Sequence, residues 1–267
     1  MTISNELVAI VTGAGGRIGS AIAAMLTEQG YRVVVNDSSA ARAEAVAGRL
    51  SGAGATVMAV QGDVSVREEA ENLVAMALGG WGRLDLLVNC AGIFPNTLLV
   101  DMDDREWERV WGVNLHGPFY LCRAGARAMI ACGNGGNIVN ISSTAGDSAR
   151  RGAAHYCGSK AALNMLTKVL AIELAEHGIR VNAVAPGLVL DQVWTSPPPP
   201  EMDAYSAALL RGIPLGRTGA GEDIANVVRF LIDPASNWIT GEIIHVNGGS
   251  TAGRVSLPRS EYKRPDR

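Results

Sequence analysis

The 267-residue chain reads as an α/β protein, one doubly wound domain on a seven-stranded parallel sheet flanked by helices. Three observations carry that reading. Short apolar runs alternate with segments whose apolar residues recur at helical spacing, the rhythm of a parallel sheet. A glycine-rich stretch, TGAGGRIG at 12–19, joins the first apolar run to the first helical segment. No long linker or internal repeat interrupts the alternation, and a chain that is 48% hydrophobic and 18% charged can bury a large single core.

The elements follow in order. Residues 7–11 form a continuous apolar run ending in glycines, 18–29 a helix, and 32–35 a second strand. Then come a strand at 56–60, a helix at 66–78, a strand at 84–88, a helix at 105–131 and a strand at 137–141. A helix at 156–176, a strand at 180–185, a helix at 223–232 and a short strand at 243–246 complete the domain, placed at 1–250. Two stretches break the rhythm. TSPPPP at 195–200 is extended and exposed, because proline fixes its backbone and lacks an amide hydrogen. The tail at 251–267 is polar.

Composition excludes several function classes. A net charge of −3, with no basic stripe interleaved with aromatics, argues against a nucleic-acid or anionic-membrane surface. Cys90, Cys122, Cys132 and Cys157 have neither metal-ligand nor disulfide-framework spacing, so no metal is expected and reduced thiols are. No basic leader precedes the first strand and no apolar run is long enough to span a bilayer. The expected compartment is the cytoplasm.

The loop at 12–19 joins a strand to a helix N-terminus, where free backbone amides and the helix dipole favour an anion such as a pyrophosphate. Such turns also occur for steric reasons alone. Asp37, 18 residues beyond Gly19, ends the next strand, where a carboxylate can accept hydrogen bonds from both ribose hydroxyls of an adenosine and repels a 2′-phosphate. Loop and acid together indicate a dinucleotide, NAD ahead of NADP.

Further stretches resemble the short-chain dehydrogenase/reductase family. They are NCAG at 89–92, NISSTAG with YCGSK at 156–160, and APG at 185–187, accompanied by Asp63-Val64, VNLHG around Asn114, and TGEIIHVNGG near the end. The resemblance runs from about Val8 to Gly249 and implies a Rossmann-like fold of the compact, single-domain branch. Tyr156 and Lys160 lie one turn apart on one helix face. The chemistry assigns Tyr156 as general acid/base, its phenolate favoured by the neighbouring Lys160 charge. The family pattern implies that Ser143 holds the substrate oxygen, that Lys160 also grips the nicotinamide ribose, and that Asn114 holds a water leading to solvent. Implied cofactor contacts are Gly13, Arg17, Ile18, Gly19, Asp37, Asp63, Val64, Asn89, Ala91, Gly92, Tyr156, Lys160, Pro186, Gly187 and Val189. Ser142 is the less suitable neighbour of Ser143, and His155, His116 and Cys157 read as local structure.

Two positions depart from the family pattern. Arg17 replaces a glycine of the loop, where it either contacts the pyrophosphate, lies near the adenosine ribose or points to solvent. Asp191 stands where a threonine contacting the nicotinamide carboxamide is usual. The resemblance places a substrate lid at 188–211, apolar and stiffened by prolines, which implies a hydrophobic or medium-sized secondary alcohol or ketone. It also implies a homotetramer or homodimer through the helices carrying Asn114 and Tyr156. The alternatives are a 3-oxoacyl thioester reductase using NADPH and a catalytically silent nucleotide-binding regulator.

Overall fold

A computed structural model describes residues 6–253. Its seven parallel strands run in the order β3-β2-β1-β4-β5-β6-β7, where β1 is Val8–Val11, β2 Arg32–Asp37, β3 Val57–Gln61, β4 Leu86–Asn89, β5 Gly136–Ile141, β6 Ile179–Pro186 and β7 Ile243–Val246. The central strands are apolar on both faces because helices cover both; Val8 to Val11 and Leu86 to Val88 are wholly buried. One layer packs α1 (Arg17–Glu28), α2 (Ala40–Gly52) and α8 (Gly221–Ile232) on the sheet, through Ile22, Leu26, Val46, Leu50 and Val228. The other packs α3 (Arg67–Trp81), α5 (Gly117–Cys132) and α6 (Ala154–Leu174), through Leu73, Leu121, Met129 and Leu174. Burying each such side chain contributes about 1.5–3 kcal/mol.

The strand order reverses between β1 and β4, which opens a crevice beyond their carboxyl ends. Every site motif read from the sequence lies at that edge.

Three segments differ from the sequence expectation. Helix α2 received no assignment because it offers few large apolar residues to the core, Val46 and Leu50 beside two alanines. Helix α7 (Ala204–Arg211) lies inside the expected lid, its start capped by Asp203, whose carboxylate accepts the Ser206 N–H at 2.9 Å. The single helix expected at 105–131 is three pieces: α4 (Asp104–Trp111), a π-helical turn Gly112–His116, and α5. Gly117 accounts for part of this, since a Cβ there would come within 2.9 Å of the Val64 carbonyl oxygen. The π turn carries Asn114, and such turns are frequent at functional sites. The proline segment is largely exposed, as expected, but it is bent rather than extended: the Ser196–Pro197 bond is cis and the chain turns at Pro200, where the Met202 N–H donates to the Pro199 carbonyl at 3.1 Å. Residues 254–267, most of the tail, lie outside the described residues.

Candidate active site

The glycine loop is tied to the end of β4 by Thr12, whose hydroxyl oxygen accepts the N–H groups of Cys90 and Ala91 at 3.0 and 3.2 Å. Gly13 needs to be glycine twice over: its φ is +60°, and a Cβ would stand 2.7 Å from the Ala91 Cα. Gly19 is equally confined, its Cβ position overlapping the Gly13 carbonyl. Helix α1 opens at Arg17 with no side-chain cap and no acidic residue in its first turn. The N–H groups of Arg17, Ile18 and Gly19 therefore have no intrahelical acceptor, and the positive end of the dipole is uncompensated. This donor set fits a pyrophosphate.

Asp37 is 4% exposed and fully engaged. Its Oδ2 accepts the loop's Gly15 N–H at 3.1 Å. Its Oδ1 accepts the Ser39 N–H at 2.9 Å and the Arg42 guanidinium at 3.0 and 2.7 Å. The sequence reading did not include Arg42; a basic residue one helical turn into α2 becomes visible only once α2 is known to start at Ala40. Asp63 turns its carboxylate onto Ser65, accepting from the backbone N–H at 2.9 Å and the hydroxyl at 2.7 Å. Val64 is buried beside it against Gly117.

Arg17 does not reach Asp37; it lies at the surface, paired across the loop with Asp191. Its Nε and Nη2 donate to the two carboxylate oxygens of Asp191 at 3.0 Å each, and its Nη1 donates to the Val189 carbonyl at 2.8 Å. The two departures from the family pattern are one bidentate pair, linking the glycine loop to the segment that follows β6. Strand order fixes the direction: β2, which carries Asp37, and β6, which leads into the lid, lie on opposite sides of β1. Val189 bridges to Gly219 through its neighbours, Leu190 N–H to the Gly219 oxygen at 3.1 Å and Gly219 N–H to the Leu188 oxygen at 2.8 Å. Its own carbonyl is thus free to meet Arg17. Upstream, Pro186 ends β6, and a Cβ on Gly187 would press on Asn247 at 2.8 Å.

The reacting side chains meet where β5 and α6 converge. Ser143 follows β5, and its Oγ accepts the Ala145 N–H at 3.1 Å. That leaves its hydrogen free for the Tyr156 phenol oxygen, with which it pairs. Burial pushes the phenol above its ordinary value, with the Ser143 hydrogen bond and the Arg150 charge pulling it down less strongly. Tyr156 is therefore a protonated acid near neutral pH. Lys160, 4% exposed, has its Nζ 6.0 Å from the Tyr156 ring centre and donates to the Ile141 carbonyl at 2.8 Å. Burial brings its ammonium down to about 8. Only one of its three donors has a partner among the described residues, which suits the hydroxyls of a ribose. Ser143 and Arg150 add to Lys160 as groups that favour the phenolate, and neither the Ser143–Tyr156 bond nor Arg150 was expected from the sequence.

Asn114 is wholly buried. Its Oδ1 accepts the Ile93 N–H at 2.9 Å, and its Nδ2 donates to the Ile93 carbonyl at 2.9 Å and the Ser159 hydroxyl at 3.3 Å. The side chain clamps the strand extension after β4 to the π turn. Gly92 lies between Asn114 and Lys160, its Cβ position 3.4 Å from Asn114 Oδ1 and 3.7 Å from Lys160 Nζ. Ala91 packs on Gly13. Asn89 points inward instead, donating to Asn140 Oδ1 at 2.8 Å. Asn140 in turn donates to the Thr167 hydroxyl at 2.9 Å. This buried chain fixes β4 and β5 to α6; Asn89 and Asn140 each begin a motif seen in the sequence, but only the pairing of β4 with β5 brings them together.

The residues read as local structure take structural partners. Ser142 donates to Asn164 Oδ1 at 2.5 Å. His155 is wholly buried; its Nδ1 accepts the Tyr156 N–H at 2.8 Å, so its Nε2 carries the hydrogen that meets Glu106 at 3.0 Å. All four cysteines are free, and burial pushes the Cys90 and Cys122 thiols up to about 12, which keeps them unreactive. Among the described residues no group of metal-ligating side chains forms a metal site, and no helix is long and apolar enough to cross a membrane.

Residues 13–251 match the family model described as enoyl-(acyl carrier protein) reductase. An uncharacterised oxidoreductase of Methylorubrum extorquens is 41% identical over 91% of this chain and 96% of its own. The 3-oxoacyl-[acyl-carrier-protein] reductase of Staphylococcus aureus is 40% identical over 90% and 96%, and that of Synechocystis 38% over 93% and 98%. A short-chain type dehydrogenase/reductase crystal structure from Mycobacterium marinum superposes with a TM-score of 0.84 at 33% identity, covering 94% of this chain and 97% of that one. With a pyrophosphate cradle, a doubly wound sheet and these relatives, the chain belongs to the short-chain dehydrogenase/reductase family of NAD(P)-dependent oxidoreductases.

Proposed function

We propose that this enzyme interconverts a secondary alcohol, of medium size, and its ketone, with NAD as the preferred cofactor. One observation carries the reading: Ser143, Tyr156 and Lys160 converge on the edge of the crevice onto which the glycine loop opens. The nicotinamide, when bound, supplies or accepts the hydride at the substrate carbon. Tyr156 gives its proton to the carbonyl oxygen during reduction and takes it from the alcohol during oxidation. Ser143, its oxygen held by the Ala145 N–H, directs its hydrogen at the same oxygen. Lys160 holds the ribose with its two free donors. The Asn114 side chain is committed to Ile93 and Ser159, so a water on the proton path to Lys160 would rest on its backbone.

The preference for NAD rests on Asp37, a buried carboxylate at the ribose end of the crevice. Arg17 belongs to the lid side, where with Asp191 and Val189 it borders the nicotinamide half. The protein works in the cytoplasm, consistent with its free thiols. It assembles as a dimer or tetramer through α5 and α6, where Phe119, Met165, Val169 and Ile172 form an exposed apolar face; Ile172 is 80% exposed.

The names of the Staphylococcus and Synechocystis relatives favour a second reading, reduction of a 3-oxoacyl thioester. Assay of a free ketone against a 3-oxoacyl thioester, with both reduced cofactors, separates the two. The test of the chemistry itself is Tyr156→Phe, followed by nicotinamide absorbance and fluorescence. Cofactor affinity stays within about threefold while turnover falls by about 10²–10⁴. Undiminished turnover would remove Tyr156 from the mechanism.

A further inference from the structure

We propose that the substrate carries an anionic group, a carboxylate or a phosphate, and that Arg150 and Arg151 bind it. The inference deepens the oxidoreductase reading above and rests on it. An open cavity of about 500 Å³ is lined by Asn96, Leu98, Arg150, Arg151, Tyr205 and Leu209. Two guanidinium groups thus face one cavity that no acidic side chain lines. Other arginines near the crevice are neutralised: Arg17, Arg42 and Arg217 each have a carboxylate within 3.0 Å. Among the described residues neither Arg150 nor Arg151 has one.

The cavity adjoins the chemistry. The Arg150 guanidinium carbon lies 5.0 Å from the centre of the Tyr156 ring, so one molecule of a few carbons can touch the phenol and the cation together. Arg150 is held in place from the lid side, its Nη1 donating to the Tyr205 hydroxyl at 2.8 Å. Its Nε is buried without a partner, so the guanidinium meets the cavity through its Nη groups.

The turn bearing both arginines is pinned. The Thr97 N–H donates to the Gly152 carbonyl at 2.8 Å, and with the Asn96 amide turned to the orientation that satisfies both its atoms its nitrogen donates to the Arg151 and Gly152 carbonyls at 3.1 and 2.9 Å. Gly152 sits at φ +75°, a conformation that side chains other than glycine rarely take. The backbone carrying both cations is therefore fixed, and Arg150 is itself preorganised by Tyr205, as recognition groups are. Leu98 and Leu209 supply apolar walls for the carbon chain between carbonyl and anion. The half-buried Arg150 beside the Tyr156 ring favours an oxo or hydroxy acid, or its phosphate counterpart, whose anion enters the cavity, over the surface of a carrier protein.

The experiment compares kcat/KM for 3-, 4- and 5-oxo acids with their methyl esters, and for a phosphorylated hydroxy ketone with its unphosphorylated form, in the wild type, Arg150→Met and Arg151→Met. The wild type prefers the charged member of at least one pair by about tenfold or more, and either substitution brings that ratio to within about threefold of unity. The acid and phosphate arms tell which anion is used. Using the ratio separates anion recognition from the help Arg150 gives the phenol, and Arg151→Met preserves the test if Arg150→Met is poorly folded. Neutral ketones turned over as well as charged ones, or a faster 3-oxoacyl thioester of a carrier protein with an unchanged ratio in the variants, would overturn the proposal and leave the hydride chemistry standing. If no ketone is reduced, the oxidoreductase reading fails. Calorimetric titration with 4-oxopentanoate then decides the anion site alone: binding lost in both variants supports it, and equal binding overturns it.

Discussion

Replacing Asp37 by Asn should move this enzyme from NAD toward NADP, and the structure sets the size of the move. The carboxylate is 4% exposed and holds the Arg42 guanidinium at 2.7 Å, so Arg42, although its side chain is 60% exposed, is neutralised where a 2′-phosphate would lie. A carboxylate about 4 Å from a phosphate charge costs roughly 1–4 kcal/mol between the limits of water and a protein surface. Part of that cost is already cancelled by Arg42. Asn removes the charge, keeps an oxygen to accept either the Gly15 or the Ser39 N–H, and frees Arg42 for a charge-assisted hydrogen bond of about 1.5–3 kcal/mol. With the overlap between these terms discounted, the ratio of Kd for NADP to Kd for NAD should fall by about 10–100-fold, or about 1.4–2.8 kcal/mol. Fluorescence titration of both reduced cofactors measures it, with Asp37→Asn, Arg42→Ala and the double variant compared. Arg42→Ala alone should weaken NADP binding further, and in the double variant most of the gain should vanish. A ratio that moves less than about threefold in Asp37→Asn would refute the account of cofactor choice.

Lys160, its ammonium lowered to about 8 by burial, is charged below that pH and neutral above it. Contacts that need the charge are complete below pH 8 and fade as pH rises through it, so NAD(H) affinity should weaken above about pH 8. Lys160→Arg, charged throughout, should show no break there, and the pH dependence of Kd checks both. Ile172→Asp puts a charge on the most exposed residue of the apolar α6 face and should yield smaller assemblies by sedimentation; an unchanged assembly would move the interface elsewhere. The Arg17–Asp191 pair is surface-exposed and contributes only about 0–1 kcal/mol to stability. Asp191→Asn should therefore leave Tm nearly unchanged while speeding proteolysis between residues 191 and 203; equal protection would show that the pair does not hold the lid.

Much of the fold was legible because its central strands are buried on both faces. A continuous run such as Val8 to Val11 has no other stable home, and the alternation with amphipathic helices orders the sheet. What stayed hidden depended on contacts rather than pattern. Helix α2 presents only a narrow apolar stripe, so the neighbour of Asp37 on its first turn, Arg42, went unseen. The π turn at Gly112–His116 follows from the closeness of Gly117 to Val64 and the clamp of Asn114 on Ile93, neither of which has a periodicity. Arg150 and Arg151 belong to no motif at all; they gain meaning only when the turn before α6 is folded over the Tyr156 ring.

Arg17 and Asp191 show how two separate irregularities in a sequence can be one structural fact. Each is an oddity against the family pattern, a cation where close backbone approach usually calls for glycine and an acid where a neutral hydroxyl is usual. In isolation the arginine invites a contact with phosphate and the acid has no evident use. The bidentate geometry, both carboxylate oxygens at 3.0 Å, gives each a partner from the other. Because the pair joins the N-terminus of α1 to the lid, and because the Val189 carbonyl also accepts from Arg17, the arginine draws the lid toward the positive end of that helix. The pair therefore holds residues 189–191 against the start of α1, and the charge of each residue is answered by the other.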